Sequence, residues 1–96
     1  MTMRTPRHTK RFRRNYLKMQ RSGRKMQKVV ALMDMLIDGK PLPMEYKDHP
    51  LQGDWAGMRD CHIEGDWILL YELGRATDGH EIITFHATDN HENLFG

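Results

Sequence analysis

The stretch RDCHIEGDWILLYEL, Arg59–Leu73, decides the fold class. Arg59 to Ile63 and Trp67 to Leu73 each alternate with period two, and Glu64-Gly65-Asp66 between them suits a tight hairpin. In the second segment Trp67, Leu69, Tyr71 and Leu73 point one way, and Ile68, Leu70 and Glu72 the other. Both faces are largely apolar, so a central strand is expected.

Downstream, Asp78-Gly79 is a second hairpin signal. It leads into Glu81 to Thr88, where Ile83, Phe85 and Ala87 alternate with Ile82, Thr84 and His86. The chain closes on HENLFG, His91–Gly96. Upstream the period lengthens. Val29, Leu32, Met33, Leu36 and Ile37 follow the helical i, i+3, i+4, i+7, i+8 pattern, with Gly39 as the stop and Pro41 and Pro43 beyond it. Thr9 is a credible N-cap for an earlier helix, Lys10 to about Arg21, whose Phe12, Tyr16 and Met19 share one stripe. Gly23 ends it or lies in the connection. Met3 to Arg7 reads as an edge strand, where Pro6 is tolerated. Helices first and strands afterwards predict an α+β fold: one domain over residues 1–96, a small antiparallel sheet packed by an N-terminal two-helix hairpin.

Charge divides the chain. Eleven of the 15 basic residues lie in residues 1–28, which hold no acid, so that segment carries +11 and the remainder −9. A dense basic segment on an ordered element suits a polyanion, a solvated helix face or an acidic protein partner, and charge alone leaves all three open. No apolar run approaches the ~20 residues that span a bilayer, and no apolar region follows the basic N-terminus as in a secretory signal. The lone Cys61 cannot form an internal disulfide, which fits a reducing, cytoplasmic setting. It reads as a small core residue, and the methionines as filler between helices.

The residues able to carry chemistry are His49, His62, Asp66 and His91. Histidine exchanges protons near neutrality. His62 ends one strand, Asp66 follows the turn, His49 lies in the preceding loop and His91 comes after the last strand. All four meet at one end of the sheet if the last strand lies beside the hairpin. Each alone is equally a solvated loop residue. Metal binding is a weaker reading, because no pair has rigid ligand spacing. Trp67 and Phe95 flank these groups, Trp67 as core or as a base-stacking surface. Arg59 suits a phosphate, or an ion pair with Asp60 or Glu64. Metal-free RNA cleavage needs a base for the 2′-OH, an acid for the 5′ oxygen and a cation for the phosphorane. The residues supply candidates for the first two.

YKDHPLQGDWAGMRDCHIEGDWILLYEL, Tyr46–Leu73, resembles the core motif of YafQ-type toxins, and HENLFG resembles the ending of that family. These toxins belong to the RelE/ParE superfamily of bacterial toxin–antitoxin modules. The resemblance implies a ribosome-dependent endoribonuclease that cuts mRNA in the decoding site without a cofactor or metal. It implies a DinJ-like antitoxin as partner, operator DNA contacted only through the antitoxin complex, and no membrane association. The catalytic positions implied are His49, His62, Asp66 and His91, with His91 as the acid and Asp66, helped by His49 or His62, on the base side. Trp67 and Phe95 become the substrate-lining aromatics, and Arg59 a substrate contact. One departure stands out. Counting back from His91, the family's usual arginine is replaced by Ala87, which removes the charge expected at the scissile phosphate. Either another cation serves, or Ala87 is an inactivating replacement that permits expression. The second reading is preferred, and the codon in the natural gene decides between them. Two other classes compete: a superfamily member that poisons gyrase without cleaving, and a basic RNA-binding domain without catalysis.

Overall fold

The computed structural model describes residues 3–95. Strand β1 (Thr5–His8) leads into helices α1 (Lys10–Arg21) and α2 (Met26–Ile37). Then come β2 (His49–Pro50), β3 (Met58–Glu64), β4 (Trp67–Arg75), β5 (Glu81–Asn90) and the short α3 (His91–Phe95). The predicted edge strand thus sits one to two residues later, and the last strand runs two residues further than expected.

The five strands form one sheet in the order β1-β5-β4-β3-β2. The hairpins pair antiparallel as predicted, but β1 lies parallel to β5, with Thr5 opposite Ile82 and His8 opposite Phe85. The connection through both helices places the first strand there, a crossover that period-two patterning cannot reveal. Pro6 is tolerated because β1 is an outer strand with a free edge.

Thr9 caps α1 as its position suggests. Its Oγ1 accepts from the Phe12 N–H at 3.0 Å and donates to the His86 carbonyl at 2.7 Å, which ties the helix start to β5. Gly23 ends the helix in the left-handed region (φ 85°), where a Cβ would be strained. Phe12, Met19, Val29, Leu32 and Leu36 then bury one face of the sheet, against Cys61, Ile63, Trp67, Leu69, Tyr71, Ile83 and Phe85. The opposite face carries a smaller apolar cluster: Ile68, Leu70, Ala87 and Leu94, flanked by Leu51, Trp55, Met58 and Phe95. The central strand β4 is therefore covered on both sides, as its apolar faces require.

Two bulges assign residues to these faces. Across β4 and β5, Leu70 pairs with Ala87 but Tyr71 with Phe85, so His86 is the extra residue. Simple alternation would put Phe85 and Ala87 on one face; the bulge puts Phe85 beneath the helices and Ala87 on the other side. A second shift at Ile63 lets His62 pair with Ile68 on the face away from α1 and α2 while Glu64 pairs with Trp67.

Candidate active site

The face turned away from α1 and α2 carries the candidate chemistry. His49 on β2 lies opposite Asp60 on β3, Asp60 opposite Leu70 on β4, and Leu70 opposite Ala87 on β5. Residues directly opposite share a face, so these four form one row across the sheet. His62 is two residues along β3 from Asp60, and α3 brings His91 beside it. The ring centroids of His49 and His62 are 6.4 Å apart, and those of His62 and His91 5.1 Å. Three imidazoles separated by 29 and 13 residues in the chain are thus neighbours at one corner of the sheet.

Each outer imidazole has a carboxylate. His91 Nδ1 lies 2.6 Å from Asp66 Oδ1. Asp66 lies in the β3–β4 turn, and Trp67 beside it is paired with Asn90, so the turn and the start of α3 are fixed together. The His91 hydrogen bond holds the exposed Asp66 carboxyl below its ordinary value. His49 Nε2 lies 3.2 Å from Asp60 Oδ1, and its Nδ1 lies 2.6 Å from the Lys47 carbonyl oxygen. Asp60 is buried. Desolvation pushes its carboxyl above the usual value, against the opposing pull of His49, His62 and His91.

Sequence reasoning missed Asp60 as part of this group. A single aspartate in a strand reads as solvated, and only the pairing of β2 with β3 buries it beneath the histidines. Trp55 was also missed. It meets Phe95 edge-on, with centroids 5.1 Å apart, and Phe95 lies 6.1 Å from the His91 ring. Both aromatics are half-buried on the site face. The available signal was the position of Trp55 within the long 46–73 motif.

Two assignments need correction. Trp67 is not a stacking surface at this site: it is 1% exposed, in the core under the helices, with Nε1 donating to Thr88 Oγ1 at 2.8 Å and the Arg24 guanidinium over its ring. Arg59 is opposite Tyr71, on the helix-covered face, and its Nε reaches both Asp48 Oδ1 and the Tyr71 hydroxyl at 3.3 Å. Tyr71 in turn donates to Asp48. Arg59 therefore anchors the segment before His49 and does not face the imidazoles. Although desolvation opposes it, hydrogen bonding to Tyr71 and Asp48 raises the Arg59 guanidinium further, so it stays charged.

Ala87 is fully buried among Ile68, Leu70 and Leu94. Arg75 is no substitute for a cation here, because β4 pairs Trp67 with Asn90 at one end and Arg75 with Glu81 at the other. Eight strand steps put it about 26 Å from the site end. The nearer basic residues are on α1, which runs along β5 toward His91. Asn15 accepts from the Thr88 N–H at 3.2 Å, Lys18 pairs with Asp89 at 3.1 Å, and Arg11 reaches the Leu94 carbonyl at 3.5 Å. Cys61 is fully buried and its thiol is pushed up by desolvation, which fits a core residue and not a nucleophile. Among the described residues, no group of three or more His, Cys, Asp or Glu is arranged to hold a metal ion, and no helix is long and apolar enough to cross a membrane.

The chain is similar to known proteins over most of its length. The mRNA interferase toxin YafQ of Escherichia coli K12 is 49% identical over 78 residues, 80% of this chain and 79% of that protein. In a crystal structure of the E. coli DinJ–YafQ complex, the matching chain is 40% identical with a TM-score of 0.83, covering 97% of this chain and 99% of that one. A metal-bound toxin from Helicobacter pylori is 26% identical with a TM-score of 0.84, over 97% and 100% of the two chains. A family profile described as bacterial toxin of type II toxin–antitoxin system, YafQ, matches residues 4–96, nearly the whole length including the strands and α3 that carry the histidines. The chain therefore belongs to the YafQ family of type II toxin–antitoxin toxins.

Proposed function

We propose that the protein is a ribosome-dependent endoribonuclease that cuts mRNA by acid–base chemistry and so arrests translation. The observation that carries this reading is the convergence of His49, His62 and His91 with Asp66 on the face away from α1 and α2, with α1 reaching the end of β5 and α3 through Lys18 and Arg11. A phosphodiester cleaved by its own 2′-OH needs one group to take a proton and another to give one. His91, oriented through Nδ1 by Asp66, has Nε2 available and serves as acid for the departing 5′ oxygen. Asp66 acts through His91: a carboxyl already held low by that hydrogen bond is a weak base. The base side then falls to His62, between the other two rings. Phe95 and Trp55 border the His91 side and offer aromatic edges to a base, contacts worth ~1–3 kcal/mol each in single-strand recognition. The basic side chains of α1 provide the electrostatic approach for RNA.

In E. coli the related toxin is held in a complex with DinJ. By the same logic a DinJ-like antitoxin silences this chain, and operator DNA is contacted through that complex. The reaction needs no cofactor or metal. Ala87 in place of an arginine attenuates cleavage by leaving the phosphorane without its usual charge. The test is a ribosome programmed with a defined message, with cut ends mapped for the chain and its Ala87→Arg variant. Cuts in the decoding site that disappear when His91 is replaced by glutamine support the reading. Absence of cleavage by both chains, with translation unaffected on induction, overturns it.

A further inference from the structure

Asp60 has an unusual environment for a carboxylate. It is buried in the middle of a strand, and its Oδ1 has no well-aligned hydrogen bond among the described residues. His49 Nε2 is 3.2 Å away, close enough to pair as ions but poorly directed. Burying a charge this way costs stability unless something uses it. The groups facing it are His49 from β2, His62 from its own strand and His91 from α3, with the carboxylate of Asp48 further off. All but Asp48 are imidazoles of the candidate site.

The two edges of His49 are unequal. Nε2 faces the buried carboxylate, while Nδ1 faces the carbonyl of Lys47, an exposed residue in the left-handed region (φ 50°). The carbonyl edge is the one a substrate can reach. An imidazole can donate at both nitrogens only when both carry protons.

We propose that Asp60 is a positioning residue: its carboxylate faces the Nε2–H of His49 while the Lys47 carbonyl accepts from Nδ1–H, so that Nδ1–H is the donor presented to the RNA, which displaces the carbonyl. Asp60 touches no substrate atom and acts only through His49. The arrangement repeats, with the nitrogens exchanged, the Asp66–His91 pair across the site, so that two carboxylates each orient one imidazole around His62. Buried carboxylates that orient a working histidine act in this way in other enzymes, and their loss costs from about 10-fold to about 10⁴-fold where the histidine itself remains. The inference rests on the nuclease reading for its consequence, but its geometry is measurable without RNA.

The experiment compares the chain with its Asp60→Leu and Asp60→Asn variants, each purified and folded. Ring-nitrogen NMR of His49 should show protons on both Nδ1, facing the Lys47 carbonyl, and Nε2, facing Asp60, in the parent, and loss of the Nε2 proton in Asp60→Leu. Thermal unfolding of Asp60→Leu should occur at the same temperature as the parent or higher, because a poorly paired buried charge has gone. Ribosome-programmed cleavage should fall between about 10-fold and about 10⁴-fold in kcat with KM little changed. A merely structural role would lower the unfolding temperature and leave the His49 pattern alone. If Asp60→Leu does not fold, the near-isosteric Asp60→Asn gives the same comparison. An unchanged His49 pattern in whichever variant folds overturns the proposal. A changed pattern in a chain that never cleaves RNA leaves the positioning in place and removes the nuclease reading instead.

Discussion

His91 and Asp66 are held together at two points: Nδ1 of the ring at 2.6 Å and the backbone N–H at 3.4 Å, both on the same Oδ1. The carboxylate therefore sets both where α3 begins and how its first side chain is turned. Asp66→Asn keeps the size of the side chain but removes the charge that favours an N–H at Nδ1. Cleavage is expected to fall between about 10-fold and about 10⁴-fold, the range seen when a histidine loses its carboxylate partner. Single-turnover assays on programmed ribosomes measure it. Since Asp66 is solvent-exposed, the urea midpoint should barely move. Equal loss of stability and activity would mean that the residue only holds α3 in place.

Arg59, Tyr71 and Asp48 form a second connected group on the other face of the sheet, with Asp48 adjacent to His49 in the chain. The Tyr71 hydroxyl is buried and donates to the carboxylate, and desolvation raises it well above the ordinary phenol value. It stays protonated, as a donor must. Tyr71→Phe removes one of the two partners of Asp48 and is expected to cost about 1–2 kcal/mol, read from urea unfolding. Arg59→Met should likewise destabilise while leaving the salt dependence of RNA binding unchanged, because Arg59 does not face the site. A reduced salt slope in that variant would return Arg59 to the substrate surface.

The sequence made the elements legible where local chemistry dictates them. Thr9, Gly23, Gly39 and the turns at Glu64-Gly65-Asp66 and Asp78-Gly79 each mark a boundary through capping or turn geometry that needs no distant partner. Facing was less legible. His86 and Ile63 are extra residues in bulges, and a bulge reverses every assignment beyond it, so alternation groups Ala87 with Phe85 although the two lie on opposite faces. Of the site residues, the histidines carried a local signal because few side chains titrate near neutrality. Asp60 carried none, and Trp55 only its place within the 46–73 motif. Their roles arise from β2 pairing with β3 and from α3 folding onto the sheet, which are long-range contacts. Trp67 and Arg59 failed for the same reason in reverse: next to active-site residues in sequence, they project from the opposite face.

Ala87 occupies the row that holds Leu70, Asp60 and His49, at two strand spacings from Asp60, about 10 Å. An arginine there can lay its stem along Leu70 and bring its guanidinium toward the imidazoles. Ala87→Arg is expected to raise cleavage by about 10²–10³, the scale of one transition-state donor. It should also cost about 1–3 kcal/mol, because the alanine is closely packed by Ile68, Leu70 and Leu94. Paired rate and urea measurements on the two chains check both. A variant that is destabilised and no faster would mean that this chain draws its phosphate charge from elsewhere, with α1 the nearest source.

Asp89 and Asp60 should respond to acid with opposite signs. Burial raises Asp89, but hydrogen bonds from Asn93, the Asn90 N–H and Lys18 outweigh it, and the carboxyl sits below its ordinary value. A group depressed in the fold contributes stability above its unfolded value, near 3.9, and loses it as pH falls through the folded value. Asp60 is raised in the fold, so its contribution is present in acid and lost as pH rises through its folded value. Asp89→Asn should therefore destabilise most near neutrality, with the difference from the parent shrinking between about pH 5 and pH 2. Asp60→Leu should gain most near neutrality, where the parent buries an ionised carboxylate, and its advantage should shrink in acid as Asp60 protonates. Urea midpoints from about pH 2 to pH 8 measure both curves. Parallel curves for parent and variants would show that neither carboxylate shifts on folding, and would remove the electrostatic argument for a buried, ionised Asp60 facing His49.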